Sequence, residues 1–352
     1  MIAAPQEDCG GEQIFPLRFF RDGQKGEIMK SGKWLFLSCI VCLLFGLNSA
    51  NTQAAEWPKT LSIGTASVGG TFYYVGGAFV KIFEKMGIKA TVEVTGGSVH
   101  NPKLIQSKQL LFATIAQGSA YEAWTATGWA KQKHDNLRSV MAIFPSYGHG
   151  YALRKKNITN FRDFNGKVVS GGPPGGTSDM YLRNIGVLLG LKYSRVVTVP
   201  FSDTVNLLQD GMIDAGWNSG GIPHGATNEV TSTLDGVVVG FLPDDLKKIE
   251  AKYPFLSPTE LPANTYKNQP APVPATADWS AIFAHKDVPD DLIYKFCELS
   301  FASYDQLVAT HKSLKDVTAA NQKFISLPLH PGAYKYFKDK GIPVPDKALP
   351  PK

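Results

Sequence analysis

Gly64-Thr65-Ala66-Ser67-Val68-Gly69-Gly70-Thr71 is the stretch whose reading decides the fold. Leu61-Ser62-Ile63 ahead of it reads as a buried strand. Behind it, Phe72, Val75, Phe79, Ile82, Phe83 and Met86 recur three and four residues apart, the period of a helix with one buried face. Thr71 is expected to cap that helix with its hydroxyl, and Gly87 stands where a helix-terminating glycine belongs. The unit is strand, glycine loop, helix N-terminus. Such a terminus presents unpaired N–H groups and partial positive charge to an anion, and glycines let a ligand come close to the backbone.

The same device returns further along. Lys167-Val168-Val169-Ser170 is strand-like, Gly171-Gly172-Pro173-Pro174-Gly175-Gly176 turns, and Thr177 or Ser178 is expected to cap a helix carrying Leu182, Ile185 and Leu189, closed by Gly190. Either loop alone is explained by a tight strand-to-helix turn. Both end in Gly-Gly-Thr, however, and that echo points to two lobes facing one ligand.

The 352 residues exceed one typical domain. The net charge of +6 is spread thinly, without the Lys/Arg block of a nucleic-acid-binding arm. Met29-Lys30-Ser31-Gly32-Lys33 followed by the apolar run Trp34 to Leu47 and then small residues reads as a secretory signal peptide over 29–55. Residues 1–28 fit no signal pattern and are read as an extension upstream of the true start. Removal of the signal leaves Cys297 as the one cysteine, so the mature chain has no internal disulfide and no cysteine-based zinc site. The expectation is an exported, periplasmic protein, soluble when mature.

From Leu61 onward strands alternate with helices, the pattern of an α/β fold with largely parallel strands. The chain is expected to leave one lobe near Tyr151, build a second, and return near Phe241. That gives lobe 1 as 56–152 plus 242–352, lobe 2 as 153–241, and two crossover segments forming a hinge with the ligand in the cleft. Leu256 to Ala277 is proline-rich and reads as connecting chain, and Leu314 to Lys323 as a helix.

No catalytic set emerges. The second glycine loop lacks the Gly-Lys-Ser/Thr ending of a phosphate loop, and the first is not Gly-x-Gly-x-x-Gly. The seven histidines show no metal spacing, and His149, between two glycines, reads as a turn or surface residue. No metal, no cofactor and no enzymatic activity are expected. Thr65, Gln117, Ser119, Asn218 and Ser219 lie at strand ends, where open α/β sheets bind ligands. Trp217, Tyr73, Tyr74 and Tyr147 are aromatics that either wall a pocket or pack in the core.

The Gly64-to-Tyr73 motif with Gly76-Gly77-Ala78 resembles the N-terminal motif of the TAXI class of solute receptors, which serve TRAP transporters (tripartite, ATP-independent, periplasmic). The similarity continues through Gln117-Gly118-Ser119-Ala120-Tyr121, Gly166-Lys167-Val168-Val169, Gly175-Gly176-Thr177, Asp210 to Ala215, Gly221-Ile222-Pro223 and Trp279 to Phe301. The resemblance implies a two-lobed periplasmic-binding-protein fold of type II. It implies capture of a small organic acid or amino acid, such as glutamate or a dicarboxylate, and delivery to a membrane permease. The ligand contacts it implies are Thr65, Gly70, Thr71, Tyr73, Gln117, Thr177 and Ser178. The residue-level reading adds Ser119, Gly176, Trp217 and Asn218. No arginine lies in either glycine loop, so backbone amides are expected to carry most of the anion recognition. The alternatives are an exported enzyme on the same fold and a binding protein that feeds a sensor or another transporter.

Overall fold

The computed structural model describes residues 56–351. The signal peptide and the upstream extension lie outside the described residues. In chain order the elements are β1 (Thr60–Gly64), α1 (Thr71–Lys85), β2 (Lys89–Glu93), α2 (Asn101–Gln106), β3 (Phe112–Ala116), α3 (Gln117–Thr125) and β4 (Leu137–Leu153). Then come β5 (Val168–Ser170), α4 (Thr177–Leu188), β6 (Arg195–Val197), α5 (Phe201–Gln209), β7 (Ala215–Gly220), α6 (Gly225–Thr233) and β8 (Gly236–Val239). The chain ends with α7 (Pro243–Lys252), β9 (Ser257–Leu261), β10 (Val273–His285), α8 (Asp290–Ala302), α9 (Tyr304–Thr310) and α10 (Pro331–Asp339). Among the described residues no helix is long and apolar enough to cross a membrane.

The strands form one continuous sheet with two similar halves. In the first, β1 pairs in parallel with β2 and β3, and β10 lies antiparallel between β3 and β4. In the second, β5 pairs in parallel with β6 and β7, and the far end of β4 lies antiparallel between β7 and β8. β4, with 17 residues, and β10, with 13, therefore belong to both halves. They cross where Asp278 stands opposite Ser146 and Ala277 opposite Tyr147.

Each half has its own core. Phe83 of α1 packs on Phe112 of β3 at 4.8 Å and on Phe296 of α8 at 4.7 Å, centroid to centroid. In the second half Phe161, Trp217 and Phe241 meet at 4.9–5.4 Å. Leu246 and Ile249 of α7, and Leu256, join this second core. The apolar face of α7 is thus spent on the second half, and the chain runs back to the first along β10 rather than near Phe241. The proline-rich stretch 256–277 supplies β9 and the start of β10, since β9 pairs with β10 over Ser257–Leu261. The helix expected over Leu314–Lys323 is two short 3₁₀ turns, Lys312–Asp316 and Ala319–Phe324. His149 is fully buried within β4, not on a turn. Its glycine neighbours are required by close packing: a Cβ on Gly148 would run into Thr276 Oγ1, and one on Gly150 would meet Phe164 at 2.8 Å.

Candidate functional site

The two Gly-Gly-Thr loops adopt the same conformation. Gly69 and Gly175 have φ of +85° and +78°, and Gly70 and Gly176 follow at φ −87° and −81° with ψ 153° and 155°. In each loop the N–H of the second glycine donates back three residues, Gly70 to the Ser67 carbonyl at 3.2 Å and Gly176 to the Pro173 carbonyl at 3.4 Å. These are four-residue turns that need a positive φ at the third position, which glycine supplies without a steric penalty. The glycines, not the threonines, are the N-caps, which corrects the expected capping by Thr71 and by Thr177 or Ser178. Each threonine is already the first helical residue, and its hydroxyl is free to reach out of its own helix.

Both hydroxyls reach across the cleft. Thr71 Oγ1 donates to the Gly221 carbonyl at 3.0 Å, and Thr177 Oγ1 to Ser98 Oγ at 3.2 Å. The third glycine turn, Gly96-Gly97-Ser98, closes against the second loop: Val99 N–H donates to the Gly175 carbonyl at 3.2 Å. A Cβ placed on Gly97 would lie 3.4 Å from Gly176 Cα. The halves are closed on one another through backbone.

A cavity of about 30 Å³ lies between them. Four helices start on its wall: α1 with Thr71 and Phe72, α4 with Thr177 and Ser178, α5 with Phe201, and α6, whose N-cap is His224. Each brings N–H groups without an intrahelical acceptor and about half a positive charge. Ser98 Oγ accepts from the Ala116 N–H at 3.0 Å as well as from Thr177, so its own proton is left to donate. Among the described residues lining this cavity there is no Asp, Glu, Lys or Arg.

His224 is 1% exposed, and its ring packs edge-on against Phe201 at 4.7 Å. Its Nδ1 has no hydrogen-bond partner among the described residues. Burial, reinforced by His149 and His311, pushes its pKa down to about 3, so the imidazole is neutral. Behind it the backbone N–H of His224 donates to Tyr266 Oη at 2.9 Å, and that oxygen lies 3.0 Å from His149 Nε2.

A second, wider space of about 1030 Å³ adjoins the hinge, bounded by α3, α4, Tyr253–Phe255 and Phe324. Asp278 on β10 reaches it, accepting from the Gly118 N–H at 3.1 Å and from Tyr181 Oη at 2.8 Å. Tyr181 belongs to the second half and Gly118 to the first, so this carboxyl ties the two together. The helix N-termini named above lie at the small cavity, not at this wider space.

Of the residues expected at the site, Gly70, Thr71, Gly176, Thr177 and Ser178 line the cavity, as does Ser219. Ser119 stands one layer behind, donating to the Ser98 carbonyl at 2.9 Å. Thr65 is turned away and donates to the Glu93 carbonyl at 2.8 Å. Tyr73 packs on Tyr74 outside the cavity. Gln117 ties the C-terminal segment, donating to the Phe324 carbonyl at 2.7 Å and accepting from Ser326. Trp217 is core, and Asn218 is held by Thr227 at 2.7 Å. Ser98, Phe201 and His224 were not anticipated. The signals for them were a third glycine turn and a Gly-Gly-x-Pro-His run just ahead of a helix.

The chain matches the model of the NMT1-like family over residues 63–341. Among solved structures it resembles one described as a periplasmic transporter, at 13% identity, covering 72% of this chain and 87% of that one with a TM-score of 0.50. It also matches an ancestral arginine-binding protein bound to arginine, at 14% identity, 74% and 99% coverage and a TM-score of 0.47. A substrate-binding protein of an ABC uptake transporter from Streptococcus pneumoniae with bound histidine matches at 12% identity, 74% and 94% coverage and a TM-score of 0.47. These neighbours are transport and binding proteins rather than enzymes. The fold, with both halves built on a parallel sheet and two long strands shared between them, is the type II periplasmic-binding-protein fold. With nearly all of the described residues inside the family match, the chain belongs to the NMT1-like family.

Proposed function

We propose that this protein is a periplasmic solute receptor that encloses a small carboxylate-bearing solute between its halves and delivers it to a membrane permease. The resemblance of its glycine motifs to TAXI receptors favours a permease of the TRAP type. One observation carries the reading: four helix N-termini from both halves meet at a small cavity whose lining holds no charged side chain. A cavity of about 30 Å³ takes one to three water-sized groups. A carboxylate head fits there, and the remainder of a larger solute would lie along the cleft or hold the halves slightly further apart. Closure then follows from binding, because a solute that touches both loops gains contacts only in the closed form.

A thermal-shift screen against organic acids and amino acids tests this. A solute at about 100 times its Kd adds about 2.7 kcal/mol to the native state and raises the melting temperature. The proposal predicts at least one carboxylate that does so. If no carboxylate moves the midpoint, and the denatured protein releases no organic acid detectable by mass spectrometry, the reading is wrong.

A further inference from the structure

We infer that Asp278 is a proton-operated latch between the two halves: with its carboxyl protonated the halves stay closed, and its ionisation favours their parting. Solute is then held at acid pH and released as the pH rises to neutral. The latch acts whether or not a solute is bound; its control of solute release rests on the receptor reading above.

The carboxyl sits on β10, one of the two long strands that both halves share, and is 1% exposed. Its cover comes from both sides of the cleft. From the first half the Gly118 N–H donates to both carboxyl oxygens at 3.1 Å. From the second, Tyr181 Oη donates at 2.8 Å. Tyr181 and Phe255, whose rings stack at 6.2 Å, both pack in the second core. Phe255 lies so close to Gly118 that a Cβ there would run into its ring. Parting the halves therefore removes the Tyr181 hydroxyl and the Phe255 ring together. It opens the carboxyl to water in the wider space that it already lines.

In the closed form no cation compensates the charge. Glu122 of α3 is the carboxylate that acts on Asp278, with the same sign. Tyr181 of α4 and Tyr253, ahead of Phe255, are the other titratable groups around it, and β4 places the uncharged Ser146 opposite. Lys252, Lys323 and Lys347 stand around the wider space, and none of them acts on Asp278. A buried carboxylate without a counter-charge is costly. Burial outweighs the hydrogen bonds from Tyr181 and Gly118, Glu122 adds to it, and the pKa is pushed up to about 7. In the open form the carboxyl is wet and returns toward about 3.9. A carboxyl whose pKa is raised by closure supports the closed form fully below that ordinary value and loses the support as the pH climbs to about 7. Between about pH 5.5 and about pH 7.5 the closed form loses about 20-fold against the open one.

The test is hydrogen exchange of the ligand-free protein at those two pH values, corrected for intrinsic amide rates. Two amides report parting of the halves: Gly118, and Val99, which donates across the cleft to the Gly175 carbonyl. Protection of both is expected to fall about 20-fold over the range in wild type and to stay constant in D278N. Y181F keeps the buried carboxyl, so it should lose about 5-fold in protection at both pH values and retain the pH dependence. The amides of β3, inside one half, should stay more protected than either reporter throughout. Wild-type protection that is constant, absent or rising with pH overturns the inference, and so does a D278N that follows wild type. Exchange of the β3 amides in step with the reporters would mean that the halves part only by unfolding, and overturns it as well. The wild-type profile decides even if a variant misfolds.

Discussion

Replacing Asp278 by asparagine should remove a pH-dependent cost built into the hinge. The Asp278 carboxyl is 1% exposed. Burial, with the charge of Glu122 adding, pushes its pKa up to about 7, against the opposing hydrogen bonds from Tyr181 and Gly118. An acid whose pKa is raised in the fold holds its proton more tightly there than in the unfolded chain. Its contribution is therefore intact below the unfolded value of about 3.9, and stability is lost as the pH climbs from there to about 7. A shift of this size corresponds to about 4 kcal/mol at 1.36 kcal/mol per unit. About 2–3 kcal/mol of that falls between about pH 5 and about pH 7.5. D278N keeps an oxygen for Tyr181 or Gly118 and carries no charge at any of these pH values. Urea unfolding of both proteins across the range gives the difference directly, and other titrating groups cancel in the comparison. The variant should gain about 2–3 kcal/mol on wild type from the acid end to the neutral end. A difference that stays constant with pH, or moves the other way, refutes the reasoning.

Other outcomes follow from the same structure. T71V and T177V each lose one hydrogen bond across the cleft, worth about 1 kcal/mol. Each should bind solute about 5-fold more weakly by calorimetry, with the urea midpoint nearly unchanged. W217A removes a fully buried ring packed on Phe161 and Phe241 and should lose about 3–5 kcal/mol in urea unfolding. Burial above all pushes His149 and His330 down to about 4 and His224 to about 3. The unfolded chain takes up protons near pH 6.5 that the fold refuses, so the histidine contribution is present above about pH 6.5 and is lost as the pH falls toward 4. In D278N, which lacks the opposing Asp278 titration, the melting temperature should drop on acidification through that window. A flat profile there would mean that at least one of these rings is protonated in the fold.

The parts of the fold visible in the sequence were the local ones. A glycine at positive φ followed by an extended glycine and a helix start is decided within four residues, so both Gly-Gly-Thr loops and the helices behind them were legible. So was their meeting across a cleft, because the same tripeptide occurs twice. What escaped depended on contacts between distant residues. β4 is long because it pairs with β10 at one end and with β7 and β8 at the other, and nothing near Gly148-His149-Gly150 says so. Its two glycines look like turn residues until the side chains pressing on them are known. Trp217 at the end of a strand looks the same whether it walls a pocket or fills a core, and Phe161 and Phe241, from two other segments, decide for the core. The threonines line the cavity between the halves but do not cap their helices. They work across the cleft, because glycine takes the capping position.

The central claim is that backbone amides from both halves grip one carboxylate, and amide NMR tests it most directly. On titration with the solute found by thermal shift, the N–H signals of Thr71, Phe72, Thr177 and Ser178 should shift together and their hydrogen exchange should slow in parallel. Shifts confined to one half, or centred on Tyr121, Trp129 and Phe255 around the wider space, would contradict the account.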